Sequence, residues 1–182
     1  LHEAVRRLLT VAALERPGDV AFSVLIPNER GLENALRSRD RFDEISVFLS
    51  ASETHNKRNV NRSIEESLSG LERVVATARA EGLRCEGVIA TSFGCPYEGE
   101  VPPERVHAIA ARLAAAGCAE IGFGDTTGMA NPLQVDGFFA GMSSQLRPGG
   151  EGPELTAHFH NTRGQGIANA VAALGQGIDS FE

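Results

Sequence analysis

The sequence predicts an α/β fold built on a parallel sheet, and three observations predict it. Along the 182 residues, five β-branched or apolar runs and the start of a sixth are each followed by a loop and, up to the last, by a helical segment. The runs are continuously apolar rather than alternating, as in strands covered on both faces. Polar and Gly-rich residues gather just after the strand ends, which is the habit of a (β/α)8 TIM barrel whose active site lies at the C-terminal face. A complete barrel needs eight strands and roughly 250 residues. The expectation is therefore an incomplete TIM barrel, with an open doubly wound sheet as the alternative.

The elements follow in order. Strands are expected over 20–26, 45–49, 85–91, 119–123 and 155–160, with another starting at Ile178. The helix after the second strand is the clearest. Ile64, Leu68, Leu71, Val75 and Ala78 recur at helical spacing and draw one apolar stripe, and Ser63 with Glu66 spells a capping box at its start. The next helix opens at Pro102-Pro103, carries Val106, Ile109, Ala110 and Leu113 on one face, and stops at Gly117. Another follows Asn131-Pro132, and the last runs from about Gln165 to Leu174. The stretch from Arg37 to Arg41 reads as a helix end plus loop, and the stretch from Ser50 to Asn61 as a long loop.

Composition narrows the function. Lys and Arg number 17 against 24 Asp and Glu, a formal net charge of −7, and hydrophobic residues make up 42%. That apolar fraction excludes a disordered chain. The acidic balance, without a basic stripe, argues against a nucleic-acid binder. No apolar run reaches membrane-spanning length, and the start LHEAVRRLL is not a signal peptide. Three cysteines without a CxxC pair point to a reducing compartment and match no zinc spacing. No GxGxxG follows the first strand, which weakens a dinucleotide reading. Residues 1–182 are read as one domain.

The sharpest chemical signal is His158-Phe159-His160. Side chains alternate across a strand, so both imidazoles point to one face and can grip one divalent cation. The plainer reading, two hydrogen-bonded histidines at a strand end, has equal weight. Asn161 and Thr162 follow; they orient a ligand or cap the next helix. Asp125 sits in a Gly-Phe-Gly-Asp-Thr-Thr-Gly run directly after an apolar strand. A carboxylate there orients a hydroxyl, binds metal through water, or takes a proton, yet spacing alone favours an Asx-turn or N-cap. Cys95, in GCPYEGE, lacks an adjacent activating base and is read as packed and inert, while Tyr97 is placed at the mouth of the site. His55, Lys57 and Arg58 suit an anionic ligand, although a charge run is usually a solvated surface. His2 and His107 are read as surface residues.

These residues together resemble the 3-hydroxy-3-methylglutaryl-CoA lyase family. The matching stretches run in the family's order: VLIPN with GLE from Val24, SASE from Ser50, KRNVN with SIEES from Lys57, GCPYEG from Gly94, GDT at 124–126, and HFH from His158 through Gly164-Gln165 to Ala168-Asn169. They cover about residues 20–182. GCPYEG is the stretch specific to the lyases; HxH and GDT are shared with metal-dependent condensing enzymes and aldolases.

The resemblance implies a TIM barrel holding Mg²⁺ or Mn²⁺, with His158 and His160 as metal ligands and Asp125 and His158 as catalytic residues. It implies a retro-Claisen cleavage giving acetyl-CoA and acetoacetate, an acyl-CoA substrate, and a homodimer as the common assembly. Asn28, Lys57 and Asn161 are the expected substrate-binding residues. Composition and cysteine usage point to a cytoplasmic, bacterial-type enzyme, with a mitochondrial or peroxisomal location as the alternatives. The family's RDGLQ-like first strand, with a metal-binding Asp, has no counterpart here. Its last loop, with a catalytic Cys and a metal-binding Asn, is expected beyond Glu182. Asn161 stands where the lyases have Asp, and Arg163 where they have Tyr, which keeps an isopropylmalate-synthase-like enzyme as an alternative. A non-catalytic truncated barrel is another. The segment alone is expected to bind metal weakly and not to turn over.

Overall fold

The structure is a computed structural model that describes Gly18 and residues 20–182. The expectations for His2 and for the first nine residues lie outside the described residues. One parallel sheet organises the rest: β1 (Ser23–Leu25), β2 (Glu44–Ser50), β3 (Arg84–Ala90), β4 (Glu120–Asp125), β5 (Glu154–Phe159) and β6 (Ser180–Phe181), paired in simple sequence order. Six parallel strands in that order, with helices on one face, make a half-barrel that matches an incomplete TIM barrel. The helices are α1 (Glu29–Leu36), α2 (Glu53–Val60), α3 (Ile64–Ala80), α4 (Pro103–Ala116), α5 (Pro132–Leu146) and α6 (Gly166–Gly175).

Strand alternation divides the side chains. Ile45, Val47 and Leu49 of β2, Ile89 of β3, and Ile121 and Phe123 of β4 are fully buried on the helix side. They meet the α3 stripe of Leu68, Leu71, Val75 and Ala78 and the α4 residues Val106, Ile109 and Leu113, all buried. Phe93, Phe123, Phe138 and Phe139 form an aromatic knot with ring centroids 4.6–6.0 Å apart, largely edge-to-face.

Helix ends are set as the sequence predicts. Ser63 and Glu66 close a reciprocal capping box on α3, Gly117 terminates α4 at φ 107°, and the Asn131 side chain caps α5 through the Gln134 N–H.

The long loop expected over 50–61 is instead mostly helix α2. Its sequence has no apolar period to reveal it. Polar side chains hold it: Ser52 accepts from the His55 N–H, and Asn61 ends it in the left-handed region at φ 56°. Asn56 is fully buried. Its Oδ1 accepts from the Ser50 N–H, and its Nδ2 lies within bonding distance of the Arg62 and Ser63 carbonyls and Ser67 Oγ. β1 spans three residues rather than the seven expected, because only those pair with β2.

The two ends of the half-barrel differ in chemistry. At the N-terminal ends of the strands, Arg84 bridges Glu44 at 3.3 Å, Glu120 at 2.7 Å and Glu154 at 2.6 Å. That network clamps neighbouring strands together. Loops at the opposite end carry the candidate site.

Candidate active site

The inward-facing strand positions open into a cleft of about 450 Å³ on the concave side of the sheet. Its floor and walls include Ser46, Glu86, Gly124, Thr126, His158 and His160. Ser46, Glu86, Gly124 and His158 are even-numbered residues of their strands, and Thr126 and His160 continue that alternation one residue past β4 and β5. Gly124 pairs in register with His158 and has no side chain to obstruct it.

The two histidines behave as their spacing predicts. His158 and His160 both line the cleft, with ring centroids 5.0 Å apart. Phe159 turns the other way, onto Phe93, with centroids 5.6 Å apart. His158 Nδ1 lies 3.8 Å from a carboxylate oxygen of Glu182. At that distance Glu182 is a neighbouring charge rather than a hydrogen-bond partner of the ring. The pair suits a divalent cation as half of a ligand set. Among the described residues, no group of three or more His, Cys, Asp or Glu is arranged to hold a metal ion.

Asp125 ends β4 with its side chain 1% exposed. Its Oδ1 accepts from the Met129 N–H at 2.8 Å and its Oδ2 from the Ala130 N–H at 3.2 Å. The Asx-type role favoured by spacing is thus present: the carboxylate closes the loop after β4. Burial pushes its pKa up, against the two N–H bonds and the nearby His160 and Arg163 charges that pull it down. Gly128, in that loop, has φ 67°, and a Cβ there would meet Thr162 at 2.7 Å. The β4 and β5 loops are packed that closely. Arg163 donates to the Met129 carbonyl at 3.4 Å and joins the same two loops.

The other expected site residues separate. Asn161 Oδ1 accepts from the Gly166 N–H at 2.9 Å, which ties the loop to the first residue of α6, whose N-cap is Gln165. Asn28 Oδ1 caps α1 through the Gly31 N–H at 2.9 Å. Lys57 is exposed on α2. None of the three lines the cleft described above.

The GCPYEG stretch forms a tight loop in which Cys95 and Gly99 exchange both backbone hydrogen bonds at 2.8 Å. Cys95 is fully buried with Sγ 3.0 Å from Ser52 Oγ, as expected of a packed thiol. Glu98 accepts from the Thr54 N–H at 2.6 Å and meets Arg105 at 3.3 Å. Burial raises its pKa, yet these bonds outweigh burial and hold the carboxyl below its usual range. Tyr97 is half exposed, with the Arg58 guanidinium 4.4 Å above its ring.

Sequence reasoning did not single out two features. His55 Nδ1 lies 2.5 Å from the hydroxyl of buried Ser50, and burial lowers the His55 pKa. Once α2 is known, its first turn brings His55 back over the end of β2. Glu86, inside the cleft, carries the second feature. Its signal was a Glu in the middle of an otherwise apolar strand, Cys85 to Ala90.

Comparison with known proteins fits this architecture. The HMGL-like family model matches residues 2–182. The chain belongs to the HMGL-like family. It is 41% identical to the hydroxymethylglutaryl-CoA lyase YngG of Bacillus subtilis over 180 residues, covering 98% of this chain and 58% of that protein. Against the cytoplasmic 3-hydroxy-3-methylglutaryl-CoA lyase of Homo sapiens it is 39% identical over 163 residues, 90% of this chain and 42% of the relative. The crystal structure of the Bacillus subtilis HMG-CoA lyase superposes with a TM-score of 0.89 at 40% identity, covering 100% of this chain and 58% of that one. An HMG-CoA lyase from Acinetobacter baumannii, solved with coenzyme A and 3-methylmalate, superposes at 0.87 with 34% identity over 96% of this chain and 55% of that one. The carboxyl transferase domain of Rhizobium etli pyruvate carboxylase shares the fold alone, at 17% identity and a TM-score of 0.65. The chain thus spans 58% or less of the lyases described here.

Proposed function

We propose that this HMGL-like chain forms part of a divalent-metal-dependent carbon–carbon lyase that cleaves 3-hydroxy-3-methylglutaryl-CoA to acetyl-CoA and acetoacetate. The observation that carries the reading is the pair of imidazoles, His158 and His160, converging at the C-terminal end of β5 on one cleft. The lyases to which the chain is similar give the reaction class its support.

His158 and His160 would hold Mg²⁺ or Mn²⁺. Bound there, the cation supplies Lewis acidity toward hydroxyl and carboxylate oxygens. Glu182 stands beside His158, with a carboxylate oxygen 3.8 Å from Nδ1. Asp125 acts on the reaction as a positioning residue, through the loop that it closes behind the cleft. Thr126 carries that order onward: its Oγ1 accepts from the Thr91 N–H at 2.9 Å and pins a non-glycine residue with φ 59° at the end of β3. In the reaction the tertiary hydroxyl loses its proton, the neighbouring carbon–carbon bond breaks, and acetoacetate leaves. The electron pair stays on the acetyl-CoA carbon, which then takes up a proton.

Asn28 and Lys57 are the proposed acyl-CoA contacts outside the cleft, which neither of them lines. The Asn161 that favoured a condensing-enzyme reading is accounted for locally, since either Asn or Asp offers an oxygen that accepts from the Gly166 N–H. Three buried free cysteines accord with a reducing, cytoplasmic compartment. No helix among the described residues is long and apolar enough to cross a membrane. Residues 1–182 form part of a single catalytic TIM-barrel domain in this reading, and the whole protein assembles as a homodimer.

The test is acetoacetate release from 3-hydroxy-3-methylglutaryl-CoA by the protein at its full natural length. It is run with Mn²⁺, with a chelator, and beside His158→Ala. Release that needs the metal and vanishes in the variant is expected. Absence of release by folded, Mn²⁺-treated protein overturns the lyase reading.

A further inference from the structure

Asn169 is a buried polar side chain to which the proposed reaction gives no duty. It lies one turn into α6 and is 1% exposed. An amide buried that deeply costs free energy unless its hydrogen bonds are made. Its Nδ2 donates to the Ala130 carbonyl at 3.3 Å, 39 residues earlier in the chain. Its Oδ1 has no partner among the described residues, so the side chain acts here through its donor. A carbonyl can only accept, which fixes which end of the amide faces Ala130.

Ala130 ends the loop that Asp125 begins. Its N–H donates to Asp125 Oδ2 at 3.2 Å while its carbonyl accepts from Asn169, so the residue is held from both sides. Met129 is held in the same way: its N–H donates to Asp125 Oδ1 at 2.8 Å, and its carbonyl accepts from Arg163 at 3.4 Å. Both carbonyl contacts come from the segment that follows His158 and His160. They differ in environment. The Arg163 bond is exposed, where water competes for both partners, whereas the Asn169 bond is buried. The link also lies away from the open edges of the sheet. β4 pairs with both β3 and β5, and α6 packs on β5 and α5.

We propose that Asn169 is a positioning residue for the reaction: it ties the loop after β4 to α6, and so sets Asp125 against the end of β5 where His158 and His160 converge. Asn169 does not itself line the cleft, and it acts through Ala130. The part it plays in turnover rests on the lyase reading; the tie between loop and helix does not.

The experiment has two arms, both on the protein at its full natural length. Asn169→Leu keeps the volume and drops the donor, and Asn169→Ala drops both. The first arm is amide hydrogen exchange followed by NMR. Without the donor, the Met129 and Ala130 amides should exchange about tenfold faster in both variants, with the amides of β2 and β3 unchanged. Unchanged exchange overturns the tie. So does wild-type exchange in Asn169→Leu beside faster exchange in Asn169→Ala, because packing then accounts for Asn169. Each variant lacks the donor, so either one that folds can show unchanged exchange.

The second arm measures acetoacetate release and Mn²⁺ binding. In both variants kcat should fall about tenfold, with KM and Mn²⁺ affinity within about twofold of the wild type. A merely structural role would lower the amount of folded enzyme and leave the kcat of the folded fraction alone. Faster exchange with unchanged kcat overturns the positioning role. A loss of Mn²⁺ affinity that matches the loss of kcat also overturns it, since Asn169 would then act on the histidine pair. If the wild type releases no acetoacetate, the lyase reading fails with the role in turnover, and exchange still decides the tie.

Discussion

Replacing Asp125 separates two ways in which a carboxylate at the end of β4 can serve the site. Its side chain is buried and accepts two backbone N–H groups, from Met129 and Ala130. Asp125→Ala strands both donors away from solvent, and each such loss costs about 1–3 kcal/mol. Burial raises the Asp125 pKa despite those bonds, so removing the charge returns part of the cost. The net expectation is a loss of about 2–4 kcal/mol for Asp125→Ala. Asp125→Asn keeps one acceptor but sets an amide donor against the other N–H, for a loss of about 1–2 kcal/mol. Urea denaturation measures this directly; with a slope of about 2 kcal/mol/M, the Ala midpoint falls by about 1–2 M. The assay pairs each midpoint with acetoacetate release at a temperature where the variant is folded. Unchanged stability, within about 0.5 kcal/mol, together with lost activity would refute the loop-closing role and place Asp125 in direct contact with the ligand.

Two further outcomes follow from the packing and the charges. Phe139→Ala empties the centre of the four-ring knot and should cost about 3–5 kcal/mol in chemical denaturation. Burial and the facing carboxylates of Glu182, Glu120 and Glu44 give Glu86 a folded-state pKa of about 7, above its ordinary 4.5, so its stabilising contribution is full below the lower value and is lost as pH rises through the upper one. The loss amounts to about 2 kcal/mol after allowance for solvent in the cleft, and Glu86→Gln should abolish that part of the pH dependence between pH 5 and pH 8 in matched denaturation curves.

Where a helix presents an apolar stripe, as α3 does, periodicity located it, and Ser63 marked its start and Pro103 and Gly117 the ends of α4 because caps are local chemistry. Helix α2 was hidden for the opposite reason. Its stability rests on Asn56 reaching backbone carbonyls and Ser67 across the chain, a contact that no window of sequence displays. The HxH pair was legible because strand alternation fixes both imidazoles on one face whatever the fold. Glu86 stood in plain sight on β3, but its isolation depends on which strands flank it and on the other duties of Arg84. Asn28 and Asn161 show the converse: their residue types suited ligand contacts, and the structure gives their side-chain oxygens to helix starts.

The account turns on His158 and His160 as the metal-holding groups of this chain. Manganese titration with imidazole NMR tests that most directly, because paramagnetic broadening reports even weak occupancy and distinguishes each of the five histidines. The expected result is selective broadening of His158 and His160 at low Mn²⁺, reversed by chelator and lost in His158→Ala, with His55 and His107 unaffected. Broadening that spares His158 and His160, or that strikes all histidines alike, would contradict the account.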